Sequence, residues 1–225
     1  MLGSRHTHST YESELYELSV HMTRMAVRAH QMVVDAVRSL LDRDAELARR
    51  VIAVDRELDR LELDADERCL RLLARRAPFG EDLRLVTVSL KLVTDLERIG
   101  DLAVNIAQRG LELMQSTGVG PGADVELLAA AAIGVLERAV RAWQTRDAAV
   151  AAEVMRGDLD VDALNRRAFA TFIRLARERP DQFDRTLALT SVCRYLERVA
   201  DHAVNMAELT VFLITADDVR HRART

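Results

Sequence analysis

Proline is scarce in this 225-residue chain, with three residues, and glycine occurs only nine times. An all-β protein needs both freely for its turns, so that class is excluded. Aromatic residues supply 4%, while Ala, Leu, Val, Arg and Glu dominate, a helix-forming mixture. There is no basic block. The net charge is −4 with acids and bases interleaved, which gives no nucleic-acid footprint. Lysine is nearly missing: Lys91 stands alone and arginine carries the positive charge, which reads as codon bias. The two cysteines, Cys69 and Cys193, form no CxxC. Both fall in apolar helical patterns, so buried free thiols in a reducing cytoplasm are expected. No run of about 18 apolar residues offers a transmembrane helix. The densest apolar run, Val125 to Val135, is broken by Glu126. The N-terminal ten residues contain no apolar core of a secretory signal. Membrane contact is therefore expected only peripherally, through partners. Neither G-x-S-x-G nor a glycine-rich phosphate cradle occurs, so no hydrolase or nucleotide-binding chemistry is indicated.

What the chain does have is 49% hydrophobic residues, enough to pack a real core, and one stretch that it contains twice. Leu96 to Ala107 reads L-E-R-I-G-D-L-A-V-N-I-A, and Leu196 to Ala207 reads L-E-R-V-A-D-H-A-V-N-M-A. Glu97, Asp101 and Asn105 recur as Glu197, Asp201 and Asn205, an offset of 100 residues. Residues four apart stack on one helix face, so each copy aligns two carboxylates and an amide. Like charges at that spacing weaken an isolated helix by about 0.2–0.5 kcal/mol. Something positive should offset the repulsion.

Apolar periodicity organises the rest. Ser9 to Glu12 has capping-box spacing and would open a first helix running to about Asp42, with Leu18, Met22, Met25, Ala29 and Met32 on its stripe. Asp44 can cap a second helix, ended by Pro78 and Gly80, and a third runs over about 81–115. Three glycines and a proline then fall between Ser116 and Gly122, the one convincing linker. Three more helices follow, over about 124–144, from the cap Asp147 to Pro180, and over about 182–215. A-V-R-S-L-L-D-R-D from Ala36 matches A-V-R-A-W-Q-T-R-D from Ala139, an offset of 103 that sets Asp55 on Asp158 and Asp59 on Asp162. The expected fold is all-α: two tandem antiparallel three-helix bundles related by an internal repeat. The first spans 9–116 and the second 124–216, with a linker at 117–123 and a polar tail at 217–225.

A helical wheel places Glu97, Asp101 and Asn105 away from the main apolar seam. The second helix of each half has its own row: Asp55, Asp59, Glu62 and Asp66, then Asp158, Asp162, Asn165 and Phe169. If the rows face each other, about four carboxylates converge in each half. Carboxylate oxygens suit hard or borderline cations, from Mg²⁺, Ca²⁺ and Mn²⁺ to iron, and zinc also accepts them. The plainer reading is a solvated surface, with Arg98 and Arg198 as salt-bridge partners. Four such pairs at matching places in two repeats weigh toward cation binding.

The duplicated L-E-R-[IV]-[GA]-D core, with its companion D-x-x-x-D pairs, resembles the PhoU family of bacterial phosphate-signalling and phosphate-transport regulators. The similarity covers about Tyr11 to Thr215. It implies a cytoplasmic, dimeric, non-enzymatic protein that acts between the phosphate ABC transporter ATPase and the phosphate-sensing histidine kinase, holding the starvation response off when phosphate is plentiful. It also implies divalent or trivalent metal ions, multinuclear iron or zinc. Carried over by position, one site would be Asp55, Asp59, Glu97 and Asp101. The other would be Asp158, Asp162, Glu197 and Asp201. Glu62, Asn105, Asn165 and Asn205 are weaker candidates. Leu102 becomes His202 and Asp66 becomes Phe169, so the two sites need not be equal. Two other readings stand beside this one. A ferritin-like di-metal carboxylate enzyme would need inward-facing Glu-x-x-His motifs, which the chain lacks. A structural helical scaffold would bind no metal specifically.

Overall fold

The computed structural model describes residues 3–115 and 117–219, with side chains described from Thr10 onward except those of 157–159. Six long helices follow one another: α1 (Gly3–Leu41), α2 (Ala45–Arg76), α3 (Glu81–Met114), α4 (Gly122–Thr145), α5 (Ala148–Glu178) and α6 (Phe183–Thr215). A single 3₁₀ turn, Pro180–Gln182, joins α5 to α6, and no strand occurs among the described residues. Asp44 caps α2 by accepting from the Leu47 amide, and Asp147 caps α5 by accepting from Ala149 and Val150. The residue before each cap repeats too: Arg43 and Arg146 both take the left-handed conformation, at φ 56° and 53°. That region normally favours glycine at a helix end. Arg146 gains compensation, because its guanidinium lies 4.7 Å over the ring of buried Trp143 and donates to Ser19 Oγ at 3.2 Å. One expectation fails: α1 already runs from Gly3, so Ser9 to Glu12 lies inside the helix and does not open it.

Within each half the three helices pack on one another, and the halves meet through α3 against α6 and α1 against α4. Arg84, at the start of α3, donates to the Leu213 carbonyl at the end of α6 (3.4 Å). Arg185, near the start of α6, donates to the Leu113 carbonyl at the end of α3 (2.7 Å). The two central helices are therefore antiparallel, and each supplies an arginine to carbonyls that the partner's last turn leaves unbonded. Arg185 also donates from two nitrogens to the Val119 carbonyl, and the Val119 amide donates to Gln182 Oε1 at 3.2 Å. The Gly- and Pro-rich connection is thus tied onto α6. At Gly118, φ is 145°, and a Cβ there would meet Gln182 Oε1 at 1.9 Å.

The apolar stripes read from periodicity are buried: Leu18, Met22, Met25 and Ala29 on α1, Leu92, Leu96, Ile99 and Ala103 on α3, and Val192, Leu196, Val199 and Ala203 on α6. Full burial of a leucine such as Leu96 contributes about 1.5–3 kcal/mol. A single stripe understates α3, which also buries Val86, Val93, Gly100, Leu102 and Ala107 because α1, α2 and α6 surround it. At Gly100 α2 comes close: an added Cβ would lie 2.2 Å from Leu58 Cδ2. That contact sets the spacing between the two helices carrying the first acidic rows.

Candidate functional site

The first acidic face lies along the α2–α3 groove. Asp55, Glu62 and Asp66 are half-buried on α2 and Asp59 is exposed. Glu97 and Asp101 are half-buried on α3, with side-chain exposures of 22% and 45%. The row therefore flanks the seam instead of standing opposite it, since α2 covers one side of Glu97. The charges act on one another across the groove. Burial first, then Asp59 and Asp101, push the Asp55 carboxyl above its usual range. Burial, Asp66, Asp59 and Asp101 do the same to Glu62, against the pull of Arg98. Glu97 is raised by burial and then by Asp101, with Glu62 adding and Arg98 opposing. The structure thus brings Asp55, Asp59, Glu97 and Asp101 onto one face, with Glu62 among them.

The offsetting positive charge is Arg98. Its Nε lies 3.4 Å from Glu97 and its Nη1 3.5 Å from Asp101. A guanidinium from the same helix, one residue on, answers the repulsion that the motif creates. Among the described residues, no three His, Cys, Asp or Glu side chains are grouped so as to hold a metal ion. The donor chemistry of this face fits a hard or borderline cation, which would relieve the repulsion that neighbouring carboxylates add to the effect of burial. The geometry requires Arg98 to move aside and the α2 and α3 carboxylates to close in.

In the second half, Asp158 lies outside the described side chains. Asp162 and Asn165 are half-buried on α5, as is Glu197 on α6, while Asp201 is exposed. Asn205 takes another direction: its amide donates to Asp95 Oδ1 at 3.1 Å, across the junction with α3. His202 Nδ1 meets the same oxygen at 2.8 Å. Neither side chain is turned along the carboxylate row. By the offset of 100, Asp95 and His202 correspond to Tyr195 and Leu102, so one end of the α3–α6 contact is polar and the other apolar. Asp95 escaped sequence reading. The signal was the two coincident breaks in the repeat, Leu102 to His202 and Asp95 to Tyr195.

Other candidates have structural partners. His21 packs with Nε2 2.8 Å from the Leu61 carbonyl and Nδ1 3.3 Å from Asp64. Cys69 and Cys193 are free and buried, and burial pushes both thiols up to about 12. No helix is long and apolar enough to cross a membrane among the described residues.

Comparison with known proteins gives one consistent answer. The family model described as PhoU domain matches twice, over residues 22–110 and 125–210, one match per bundle. A Pseudomonas aeruginosa protein described as a phosphate-specific transport system accessory protein PhoU homolog is 35% identical over 220 residues, covering 97% of this chain and 90% of its own. A Clostridium acetobutylicum protein of the same description is 30% identical, covering 95% of this chain and 98% of its own. The crystal structure of PhoU from Pseudomonas aeruginosa superposes with a TM-score of 0.89 at 33% identity, over 92% of this chain and all of that one. The Streptococcus pneumoniae phosphate transport system regulatory protein PhoU gives 0.84 at 25% identity, over 93% of this chain and 99% of that one.

Proposed function

The chain belongs to the PhoU family, and on that premise we propose that it regulates phosphate transport as a non-catalytic helical adaptor. In this reading it represses phosphate uptake and the phosphate-starvation response. It does so from the cytoplasm, as a homodimer, between the ATPase of a phosphate ABC transporter and a phosphate-sensing histidine kinase. Relatives described as accessory proteins of the phosphate-specific transport system support the transport role. The acidic faces on α2–α3 and α5–α6 bind metal ions, iron or zinc, through Asp55, Asp59, Glu97 and Asp101 and through Asp158, Asp162, Glu197 and Asp201. The observation that carries the metal reading is the placing of the α2 and α3 carboxylates along one groove, where burial first and their mutual repulsion second hold the Asp55, Glu62 and Glu97 carboxyls above their usual range. Elemental analysis and calorimetric titration of the wild type against Glu97→Ala/Asp101→Ala test it. Metal bound by the wild type and lost in the variant supports the sites. Equal trace metal in both removes them.

A scaffold without specific metal sites is the second reading, and Arg98 favours it. A guanidinium already lying on Glu97 and Asp101 neutralises part of the charge that would attract a cation. A ferritin-like centre gains nothing from the geometry, because the described acidic side chains line surface grooves and the buried core is apolar.

A further inference from the structure

Toward the α5–α6 hairpin, the rows that carry Asp162 and Glu197 change character. Continuing in steps of three and four residues, the α5 row reaches Phe169 and Ile173, and the α6 row descends to Phe183 with Leu187 beside it. All four side chains face solvent, at 51%, 41%, 55% and 56% exposure. An apolar face of this kind on a protein surface marks an interaction site. Three exposed arginines rim it: Arg166, Arg177 and Arg194. Arg167 and Arg179 in the same stretch are tied to Asp124 and Asp181. Arg166, Arg177 and Arg194 have no ion pair among the described residues.

The repeat provides an internal control. The first half holds Leu63, Ala74 and Thr94 where the second has these arginines, and Asp66 where it has Phe169. The first half keeps exposed Leu70 and Leu83 at the places of Ile173 and Phe183, so what belongs to the second bundle alone is the combination of Phe169 and Leu187 with the three arginines.

We propose that the hairpin end of the α5–α6 groove is a docking surface for an amphipathic helix of another protein. That helix carries apolar residues at i and i+4, flanked by Asp or Glu. Two antiparallel ridges, each exposing an apolar pair four residues apart, accept the apolar face of a single helix. The unpaired arginines complement acidic flanks and reject basic ones. A flat anionic bilayer fits less well, because it offers no ridge to lie between the two apolar rows. This surface is distinct from the cation sites and does not depend on them.

The test is a displayed library of single-helix peptides, randomised along one face and panned against the full chain. Winners should carry Leu, Phe or Met at i and i+4 with Asp or Glu alongside, and should bind more weakly as salt rises. Affinity should fall at least tenfold on Phe169→Ser/Leu187→Ser, and also on Arg166→Gln/Arg194→Gln. It should be unchanged on the first-half control Leu63→Ser/Leu70→Ser. No winners, basic winners, or winners that bind all variants alike would overturn the proposal. So would sedimentation with phosphatidylglycerol vesicles that Phe169→Ser/Leu187→Ser abolishes, which would assign the face to lipid. Dissociation of a dimer by the same double variant would assign it to a second copy and overturn it equally.

Discussion

Gly100 stands between Glu97 and Asp101 in sequence and against Leu58 in space, so Gly100→Ala probes packing and site together. The added Cβ would lie 2.2 Å from Leu58 Cδ2 and 3.7 Å from Met32 Cε. Leu58 is 1% exposed, so its side chain can yield only by shifting against the core around it. Overpacking of this kind costs about 1–3 kcal/mol, while replacing glycine by alanine inside a helix returns about 1 kcal/mol. The expected net loss is about 0–2 kcal/mol, read as a lower urea midpoint by circular dichroism. The second half supplies the remedy. It has Ala200 where the first has Gly100, and Val161 where the first has Leu58. Leu58→Val alone should cost about 0.5–1.5 kcal/mol. Combined with Gly100→Ala it should cost less than the sum, with a favourable coupling of about 0.5–2 kcal/mol. The single alanine variant should also part α2 from α3 and let the Asp55 and Glu97 carboxyls fall toward their usual range, seen by carbon-detected NMR titration. A Gly100→Ala protein about 1 kcal/mol more stable than wild type, with strictly additive behaviour in the double variant, would refute the close approach.

Three further outcomes follow from the same geometry. The Glu97 carboxyl is held high in the folded state, so the native protein binds its proton more tightly than the unfolded chain; its contribution to stability therefore falls as pH rises through the carboxylate range. Glu97→Gln should accordingly stabilise at pH 7, with the gain vanishing below about pH 4, as urea midpoints across that range would report. Arg98→Gln removes the guanidinium from Glu97 and Asp101; calorimetric zinc affinity should rise about two- to fivefold, the worth of an exposed ion pair of up to 1 kcal/mol, and a fall would argue that Arg98 helps build the site. Arg43→Gly relieves a left-handed residue whose side chain makes only a 3.5 Å contact with the Met114 carbonyl, and should stabilise by up to about 1 kcal/mol in thermal unfolding; Arg146→Gly should not, since it also loses the Trp143 stack and the Ser19 bond.

Local chemistry made most of the architecture readable. Asp44 and Asp147 announce helix starts because an aspartate before an apolar stripe has one favourable use, and the structure puts both at N-caps. The repeat exposed the two-bundle plan because one packing solution, used twice, leaves the same residues in the same places. Ser9 misled because a capping box is a two-residue pattern that also occurs by chance inside a helix. The α3–α6 junction was harder to see. Its reciprocal arginine-to-carbonyl bonds join residues 129 and 72 positions apart, and the acceptors are backbone atoms that leave no mark in the side-chain pattern. The carboxylate rows were readable as rows, since helical spacing fixes them. Arg98 folding back on its own helix was not, because an exposed arginine has many rotamers and sequence selects none. Asn205 looked like a member of its row until Asp95, from the other bundle, claimed it.

The central claim is repression of the phosphate-starvation response by this chain, and a transcriptional reporter in its own host tests it directly. The strain lacking the protein should express phosphate-starvation genes in phosphate-rich medium. Wild type supplied in trans should restore repression, and the variant Glu97→Ala/Asp101→Ala/Glu197→Ala/Asp201→Ala should restore it less. Starvation genes that stay silent in phosphate-rich medium after deletion would contradict the claim.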